Sequence, residues 1–408
     1  MKRNQLAIDG GAPVHPGAPI PISKVCYDER EEQAVQRVFD SGVFCSVFDE
    51  ATEVPALEQE FAQQVQARYA VAFNSGTTAQ HAALAALGLG PGAEVIVPDL
   101  TFVSTAYTVR IAGADPVFCD VCADTFTMDP RDVDRRLTSR TKAVVPVHWL
   151  GNAAAMDDIV ALANRRGLVI VEDCAHGPGI TCGGKQIGRF GRIACWSMQQ
   201  SKMLTSAGEG GIATTDDAPL ATRLRQVRDH GKAVVEKKSA DLIAPYRVTC
   251  LGNNYRLSEM QAAFARVQLG KLRSFIEQRR RAYSMLAAKL AGVAGIQLQE
   301  RKPGCQTSAY CFPVLFPRRS FRKSIEQISA ALYVEGVENY AIGLYESCHV
   351  HPLFSRQYLR SPLPTAEQIA KEILLLPLHP ELSETETDDI AQAVMKVVHA
   401  YCETTTRT

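Results

Sequence analysis

Three groups of residues in this chain could together carry out chemistry on amines and ketones. Lys202 offers a primary amine, and Asp173, 29 positions upstream, offers a carboxylate. Further back, Ser75, Gly76 and Thr77 form a turn whose hydroxyls and backbone N–H groups could surround a phosphate. A protein that binds pyridoxal phosphate (PLP) needs an amine for a Schiff base, an anion facing the ring nitrogen and a phosphate cradle. We therefore interpret the chain as an enzyme.

Each of these groups also has a simpler explanation. The Ser-Gly-Thr turn could be an ordinary helix N-cap, Asp173 could cap the helix that follows it, and an isolated lysine is usually a solvated surface charge. The glycine-rich residues 88–92 precede a strand and lack the spacing of a dinucleotide site, so they are predicted to form a plain turn. The PLP interpretation is favoured because Lys202 and Asp173 both follow closely on predicted strands.

A carboxylate in the position of Asp173 would keep a pyridine nitrogen protonated. At about 4 Å and an effective dielectric of 20, such a charge pair gains roughly 4 kcal/mol. That gain corresponds to about three pKa units for the ring nitrogen, which is enough for protonation at neutral pH. The protonated ring would then withdraw electrons from the groups attached to it.

The composition excludes several classes of partner. The chain has 408 residues, 46% of them hydrophobic and 22% charged, which is typical of a globular protein with two domains. Lys plus Arg equals Asp plus Glu at 44 each, so no long-range field would attract nucleic acid or an anionic membrane. We expect small-molecule partners.

The N-terminal residues and the cysteines indicate a cytoplasmic location. Residues 1–10 lack the apolar stretch of a signal peptide, and no uncharged run of about 18 apolar residues occurs. The twelve cysteines have no paired spacing, so we expect reduced thiols. Cys119 and Cys122 form a CxxC without a second pair or a histidine cluster, and we interpret them as a strand end followed by a loop.

The apolar pattern predicts an α/β fold with a seven-stranded, doubly wound sheet. The predicted strands are residues 69–73, 94–97, 116–118, 143–147, 168–172, 193–197 and 211–214. Helical stretches such as residues 78–87, 104–112 and 156–165 lie between them, as right-handed crossovers between parallel strands require. Because the strands are apolar throughout, helices should cover both faces, and a ligand should bind at the carboxyl ends of the strands.

The second part of the chain predicts a smaller α+β domain. A long helix over residues 258–291 leads away from the sheet, followed by a strand at 309–315 and helices at 325–334 and 385–401. We therefore divide the chain into an N-terminal arm plus large domain at 1–265 and a small domain at 266–408.

These motifs, in this order, resemble the DegT/DnrJ/EryC1/StrS family of sugar aminotransferases, which have the PLP-dependent transferase fold type I. The resemblance spans nearly the whole chain and rests on residues 7–11, 98–102, 146–148, 171–176, 197–202 and 254–259. It implies a homodimer with shared active sites.

The resemblance also implies a role for individual residues. Lys202 would be the Schiff-base lysine and Asp173 the partner of the ring nitrogen. Gly76, Thr77 and Ser197 would hold the phosphate, and Asn254 would reach it from the neighbouring subunit. Phe102 would stack on the ring, and His176 would lie near the ring hydroxyl in place of a commoner glutamine.

Within the family, residues 197–202 and 208–211 are similar to those of glutamine-dependent cyclitol aminotransferases of aminoglycoside pathways. We therefore expect ping-pong transfer of an amino group from L-glutamine to a ketone on a cyclitol or sugar. The alternatives are an aminotransferase that acts on a nucleotide-linked keto-sugar with glutamate, a PLP-dependent dehydratase or synthase, and a non-catalytic PLP-binding sensor. Two departures, the longer loop at Ser206-Ala207 and the bulky Trp149, could reshape the substrate pocket.

For contacts with the substrate, the sequence indicates only candidate residues. The candidates are His148, Trp149, Tyr345, His349 and His379. The pair His349 and His351 could in principle bind a metal, but histidines at this spacing without a carboxylate cluster more often line a pocket, and no metal site is predicted.

Overall fold

Helix N-caps and apolar runs in the sequence determine where the helices and strands lie along the chain. The structure is a computed structural model, and it describes residues 5–233, 246–341, 347–354 and 362–403. The helices of the described residues are α1 (Glu29–Ser41), α2 (Glu53–Gln64), α3 (Gly76–Ala86), α4 (Ser104–Ile111), α5 (Pro130–Arg136), α6 (Met156–Arg166), α7 (Ala218–Arg228), α8 (Glu259–Leu290), α9 (Ile325–Val334), α10 (Pro364–Glu372) and α11 (Glu384–Tyr401). Serine side chains at 75, 258, 324 and 383 cap the N-termini of α3, α8, α9 and α11.

The strands form one large sheet and three smaller ones. In chain order they are β1 (Tyr69–Phe73), β2 (Glu94–Pro98), β3 (Asp115–Cys119), β4 (Thr141–Val144), β5 (Val169–Asp173), β6 (Thr181–Cys182), β7 (Lys185–Gln186), β8 (Ile193–Ser197), β9 (Gly211–Thr215), β10 (Lys232–Ala233), β11 (Arg247–Val248), β12 (Gln297–Leu298), β13 (Cys305–Gln306), β14 (Phe312–Leu315), β15 (Tyr340–Ala341) and β16 (Ile373–Leu376).

The large sheet has the strand order β1-β9-β8-β5-β4-β2-β3. Strands β8, β5, β4, β2 and β3 pair in parallel, whereas β9 runs antiparallel to both β1 and β8. Successive side chains of each strand point to opposite faces, so Val71 and Phe73 lie in one core with residues of α3 and α7, while Ala70 and Ala72 lie in another with residues of α2 and α8. The predicted fold class is confirmed.

Two predicted strands are shorter in the structure, each for a local reason. The strand predicted at 143–147 ends at Val144, because Pro146 has no N–H to donate and Val147 makes only an isolated bridge to Asp173. The strand predicted at 309–315 begins at Phe312, because Ala309 has a φ of 56° and cannot continue a strand.

A second core lies around the four-stranded antiparallel sheet β12-β14-β16-β15. Residues of α9, α11 and the C-terminal half of α8 pack there, together with Leu6 and Ile20 of the N-terminal arm. The arm therefore contributes to this core, although its sequence lies at the far end of the chain. The domain division at residue 265 stays a prediction.

The expectation of reduced thiols is wrong at one pair. Cys182 of β6 and Cys305 of β13 are opposite residues of an antiparallel strand pair and form a disulfide. The spacing of 123 residues along the chain gives no hint of this pairing, because it arises only when β13 adds to the β6–β7 hairpin. Cys119 ends β3 and Cys122 lies in the loop beyond, as interpreted.

Among the described residues, we find no helix with the length and apolar character that crossing a bilayer requires.

Candidate active site

The carboxyl ends of β1, β5 and β8 open into a cavity of about 650 Å³, a size typical of small-molecule sites. The fold brings these ends together because β5 and β8 are parallel neighbours and β9 connects β8 to β1. All but one of the residues predicted to contact PLP line the cavity, namely Gly76, Thr77, Phe102, Asp173, His176, Ser197 and Lys202. The exception is Asn254.

The phosphate cradle is the first turn of α3. The Ser75 hydroxyl accepts a hydrogen bond from the Thr78 N–H at 3.1 Å, and the N–H groups of Gly76 and Thr77 have no partner inside the helix. A Cβ atom on Gly76 would lie 2.9 Å from Cβ of Ser197, so only glycine lets the turn approach β8 this closely. The backbone N–H groups, the hydroxyls of Thr77 and Ser197 and the positive end of the helix dipole together fit a phosphate.

Asp173, the last residue of β5, is a buried anion with 4% exposure. Its Oδ2 accepts hydrogen bonds from the Gln80 amide and from the Thr105 hydroxyl at 2.9 Å, and its Oδ1 accepts from the Ala175 N–H at 3.1 Å. These neutral donors hold the carboxylate in place at the cavity wall. The arrangement fits a protonated ring nitrogen, because a buried carboxylate is stabilised most by an adjacent cation.

Lys202 is held by two aromatic rings. Its Nζ lies 2.8 Å from Nε2 of His176 and 5.0 Å from the centroid of the Tyr310 ring. The His176 and Tyr310 rings stack with centroids 4.0 Å apart and planes at 11°. Burial, followed by the nearby positive charge of Lys202, keeps the pKa of His176 well below its usual range.

Aromatic side chains form much of the remaining wall. Phe102 is 47% exposed and lines the cavity, as do Trp149 and Tyr340. Trp149 lies with its ring centroid 5.2 Å from that of His176 and the two planes at 38°, so it contacts the histidine as Tyr310 does. An aromatic wall of this kind fits a planar ring stacked between flat surfaces.

Sequence reasoning missed three residues of this site. Gln80 and Thr105 carry the hydrogen bonds to Asp173, and Tyr310 supports His176 and Lys202. Gln80 lies one helical turn after the phosphate turn and Thr105 lies in the first turn of α4, and these spacings could have indicated that both face the cavity. Nothing in the sequence near Tyr310 indicates that the chain returns to β5 there.

His148, a candidate for substrate binding, lies outside the cavity. Its ring is fully buried, with Nε2 3.2 Å from Oε2 of Glu172 and Nδ1 accepting from the Ala154 N–H. His148, Glu172 and Cys174 are close enough to hold an ion, but the Glu172 carboxylate already accepts from the backbone N–H groups of residues 188, 190 and 191. The prediction placed His148 at the site because it follows a strand. In the structure its ring faces the side chain of Glu172. Glu172 and Asp173 are successive residues of β5, so their side chains point to opposite faces of the sheet, and the cavity lies on the side of Asp173.

Two other candidates, His349 and His379, are not brought to the cavity. His349 is paired with Asp99, with Nδ1 2.8 Å from Oδ2 of the carboxylate. His379 is buried at 2% exposure, and neither ring nitrogen has a hydrogen-bond partner among the described residues. Tyr345 lies outside the described residues. Of the substrate candidates, Trp149 lines the cavity.

Asn254 does not line the cavity of its own chain. It is exposed, and its backbone pairs with Asp229 in an isolated bridge. This location agrees with a role at another subunit's site and does not test it.

The His349–Asp99 pair links residues 347–354 to the start of the loop that carries Phe102. The hydrogen bond to Asp99 raises the pKa of His349 above its usual value of 6.5, against the effect of burial, and Glu367 lies 3.8 Å from Nε2. Because the folded-state pKa is raised, the pair stabilises the protein fully below pH about 6.5, and the stabilisation is lost as the pH rises through the raised pKa.

We therefore predict that His349→Gln destabilises the protein by roughly 2 kcal/mol at pH 5.5 and by less at pH 8.5. The difference in thermal unfolding midpoint between wild type and variant, measured across this range, should shrink as the pH rises. His351→Gln is the matched control and should show no such trend. A difference for His349→Gln that is constant with pH would contradict the pairing.

The comparisons with known proteins agree with this geometry. The model of the DegT/DnrJ/EryC1/StrS aminotransferase family matches residues 25–395. The chain is 37% identical to UDP-N-acetyl-3-dehydro-alpha-D-glucosamine 3-aminotransferase of Acidithiobacillus ferrooxidans, over 84% of this chain and 88% of that protein. It is 33% identical to dTDP-3-amino-3,4,6-trideoxy-alpha-D-glucose transaminase of Streptomyces venezuelae, over 93% and 96%.

Solved structures show the same fold. An aminotransferase from Psychrobacter cryohalolentis superimposes with a TM-score of 0.86 at 30% identity, covering 93% of this chain and 99% of that one. DesV of S. venezuelae superimposes with a TM-score of 0.82 at 32% identity, covering 93% and 98%. The chain therefore belongs to the DegT/DnrJ/EryC1/StrS aminotransferase family and is a transaminase whose cofactor is pyridoxal phosphate.

Proposed function

We propose that this enzyme transfers an amino group from an amino acid to a ketone on a nucleotide-linked sugar. The observation that carries the proposal is its similarity, over most of the chain, to two relatives named for UDP-linked and dTDP-linked amino sugars. These relatives favour the alternative prediction over the main one, which was a ketone on a cyclitol or sugar with glutamine as donor. The similarity of residues 197–202 to cyclitol enzymes keeps the cyclitol as the second acceptor to test.

The residues of the cavity fit the cofactor of such a reaction. When bound, PLP supplies an electron-withdrawing ring and an aldehyde carbon that carries the amino group from donor to acceptor. Gly76, Thr77 and Ser197 would hold its phosphate, and Asp173 would face the ring nitrogen. Phe102 would cover one face of the ring and exclude water from it.

Lys202 would have two tasks in this reaction. Its amine would hold the cofactor between turnovers, and once displaced by the donor it would move a proton from the donor's α-carbon through Nζ. The donor would leave as a keto acid before the sugar ketone binds, so the kinetics would be ping-pong. Tyr310 and His176 restrict where Nζ can lie, since both are in contact with it.

The enzyme's substrates can be tested with the purified full-length chain and PLP. We expect a nucleotide-linked keto-sugar plus glutamate or glutamine to give an aminated sugar nucleotide, detected by mass spectrometry. Lys202→Ala should lower this turnover by on the order of a thousandfold or more, because no other group replaces the amine.

Free keto-cyclitols, offered with the same donors, are the competing acceptors in this assay. Amination of the cyclitol but not of the nucleotide-linked sugar would overturn the acceptor that we propose. Full turnover by Lys202→Ala would overturn the role of the lysine.

We further propose a homodimer in which each active site uses both chains. The support is that Asn254 is exposed and does not line the cavity of its own chain, whereas the resemblance places it at a phosphate. Exposed apolar side chains flank it, with Val248 at 63% and Leu251 at 96% exposure. Such residues are typical of a surface that a second copy covers.

Mixing two inactive variants tests the shared site. Lys202→Ala should be nearly inactive alone because it lacks the amine. Asn254→Asp should be nearly inactive alone because the introduced carboxylate would repel the phosphate. Co-expressed chains would form heterodimers with one intact site, so activity should reappear. A mixture that stays as inactive as its parts, or a monomer in sedimentation, would contradict the dimer.

Two other parts of the sequence prediction remain proposals. They are a cytoplasmic location and a role in secondary metabolism, such as antibiotic or amino-sugar biosynthesis.

A further inference from the structure

A second, much smaller cavity lies beside the segment that carries Lys202. Residues 23–26 of the N-terminal arm, residues 200–205 and side chains of α8 enclose it, and its volume is about 20 Å³. A space of this size holds about one water molecule or one small ion. It shares Ser23, Ser201 and Lys202 with the active-site cavity, but the amino transfer proposed above does not use it.

The charges around this small cavity are unbalanced. Two lysines and one arginine line it, namely Lys24, Lys202 and Arg279, whereas no Asp or Glu of the described residues does so. Lys24 is exposed and forms an ion pair with Glu381. Arg279 has no carboxylate partner in the described part of the chain, so it is the residue whose charge needs explanation.

Arg279 is a buried cation, with 4% exposure. Its Nη1 donates to the carbonyls of Tyr310 and Leu378, at 3.1 and 2.6 Å. Burial lowers the pKa of Arg279 from 12.5 to about 10, so the guanidinium stays protonated at neutral pH. The groups that oppose this lowering are Tyr310, Cys26 and Cys311, and none of them is a carboxylate.

The remaining nitrogens of Arg279 lie along one edge of its guanidinium. Nε is buried without a hydrogen-bond partner, and Nη2 makes no hydrogen bond with the described residues. A buried charge is costly unless an opposite charge or enough hydrogen bonds compensate for it. Two carbonyl dipoles provide part of this compensation, and an anion in the adjacent cavity would provide the rest.

Thr205 gives a second, independent indication of a ligand. It lines the same cavity at 4% exposure, and its buried hydroxyl has no hydrogen-bond partner among the described residues. A threonine hydroxyl can donate its proton to an anion. Thr205 follows Lys202 by three residues, so a ligand between Thr205 and Arg279 would connect the lysine segment to α8.

We propose that this cavity binds one small monovalent anion of the size of chloride, held by the guanidinium of Arg279 and the hydroxyl of Thr205. The anion would join residues 200–205 to α8 and thereby stabilise the segment that carries Lys202. This site goes beyond amino transfer and does not depend on which sugar the enzyme aminates.

Larger anions fit the cavity poorly. The phosphate cradle of the cofactor is at the first turn of α3, and Arg279 does not line the active-site cavity. An amino-acid donor has several further heavy atoms beside its carboxylate, for which about 20 Å³ leaves no room. The size of the cavity therefore favours a monatomic ion.

Bromide, which diffracts anomalously, tests the site directly in crystals of the full-length enzyme with PLP. In crystals soaked in sodium bromide, we expect an anomalous peak in this cavity, in contact with Arg279 and Thr205. Bromide at surface sites but none in the cavity would overturn the proposal. Loss of the peak on soaking with L-glutamate would assign the site to the donor's carboxylate and would also overturn it.

Thermal unfolding tests the site in solution. We compare the unfolding midpoint of the PLP-bound enzyme in sodium chloride with that in sodium gluconate at equal ionic strength, because gluconate is too large for the cavity. We expect the midpoint to be higher in chloride by on the order of 2 °C, since only the folded chain has the cavity. Equal midpoints in the two salts would contradict the site.

Variants show whether this difference comes from the cavity. Thr205→Val keeps the shape of the side chain and should lose most of the difference, and Arg279→Met should lose all of it. Arg279 also holds two carbonyls, so Thr205→Val is the decisive variant. The matched control is Thr222→Val on the exposed face of α7, which should keep the wild-type difference. A full difference in Thr205→Val would overturn the proposal.

Discussion

The buried carboxylate of Asp173 is the constraint on which the rest of the site depends. An anion with 4% exposure is costly unless donors or a cation compensate for it. Gln80 and Thr105 supply donors, and among the described residues no Lys, Arg or His side chain pairs with it. A protonated ring nitrogen would complete this environment, so the fold itself favours the cofactor's reactive protonation state.

Three distant parts of the chain meet around this carboxylate. Its side-chain donors come from the second turn of α3 and the first turn of α4, and the phosphate turn is the first turn of α3. His176 follows it by three residues, and the segment ending at Tyr310 returns from the second part of the chain to stack on that histidine. The carboxylate, the histidine and the lysine that line the cavity are thus positioned by contacts from all three parts.

The sequence predicts those parts of this arrangement that depend on local patterns. The seven strands follow from apolar runs, and Lys202, Asp173 and Gly76 follow from where they lie relative to strand ends. Predictions failed where the position of a residue depends on the direction of its side chain or on contacts between distant parts of the chain. His148 follows a strand as the prediction required, but its ring turns toward Glu172 and away from the cavity. The Cys182–Cys305 disulfide depends on a strand pairing that no local pattern encodes. Tyr310 reaches the site through contacts of the segment 307–310 with Gly151 and His176, which are equally distant in the sequence.

The ring-nitrogen protonation of bound PLP tests the central claim most directly. With ¹⁵N-labelled PLP bound to the full-length enzyme, the nitrogen chemical shift at pH 7.5 should be that of a protonated pyridine, and in Asp173→Asn it should move to that of the neutral ring. A neutral pyridine nitrogen in the wild-type enzyme, or a protonated one that survives in Asp173→Asn, would contradict the account.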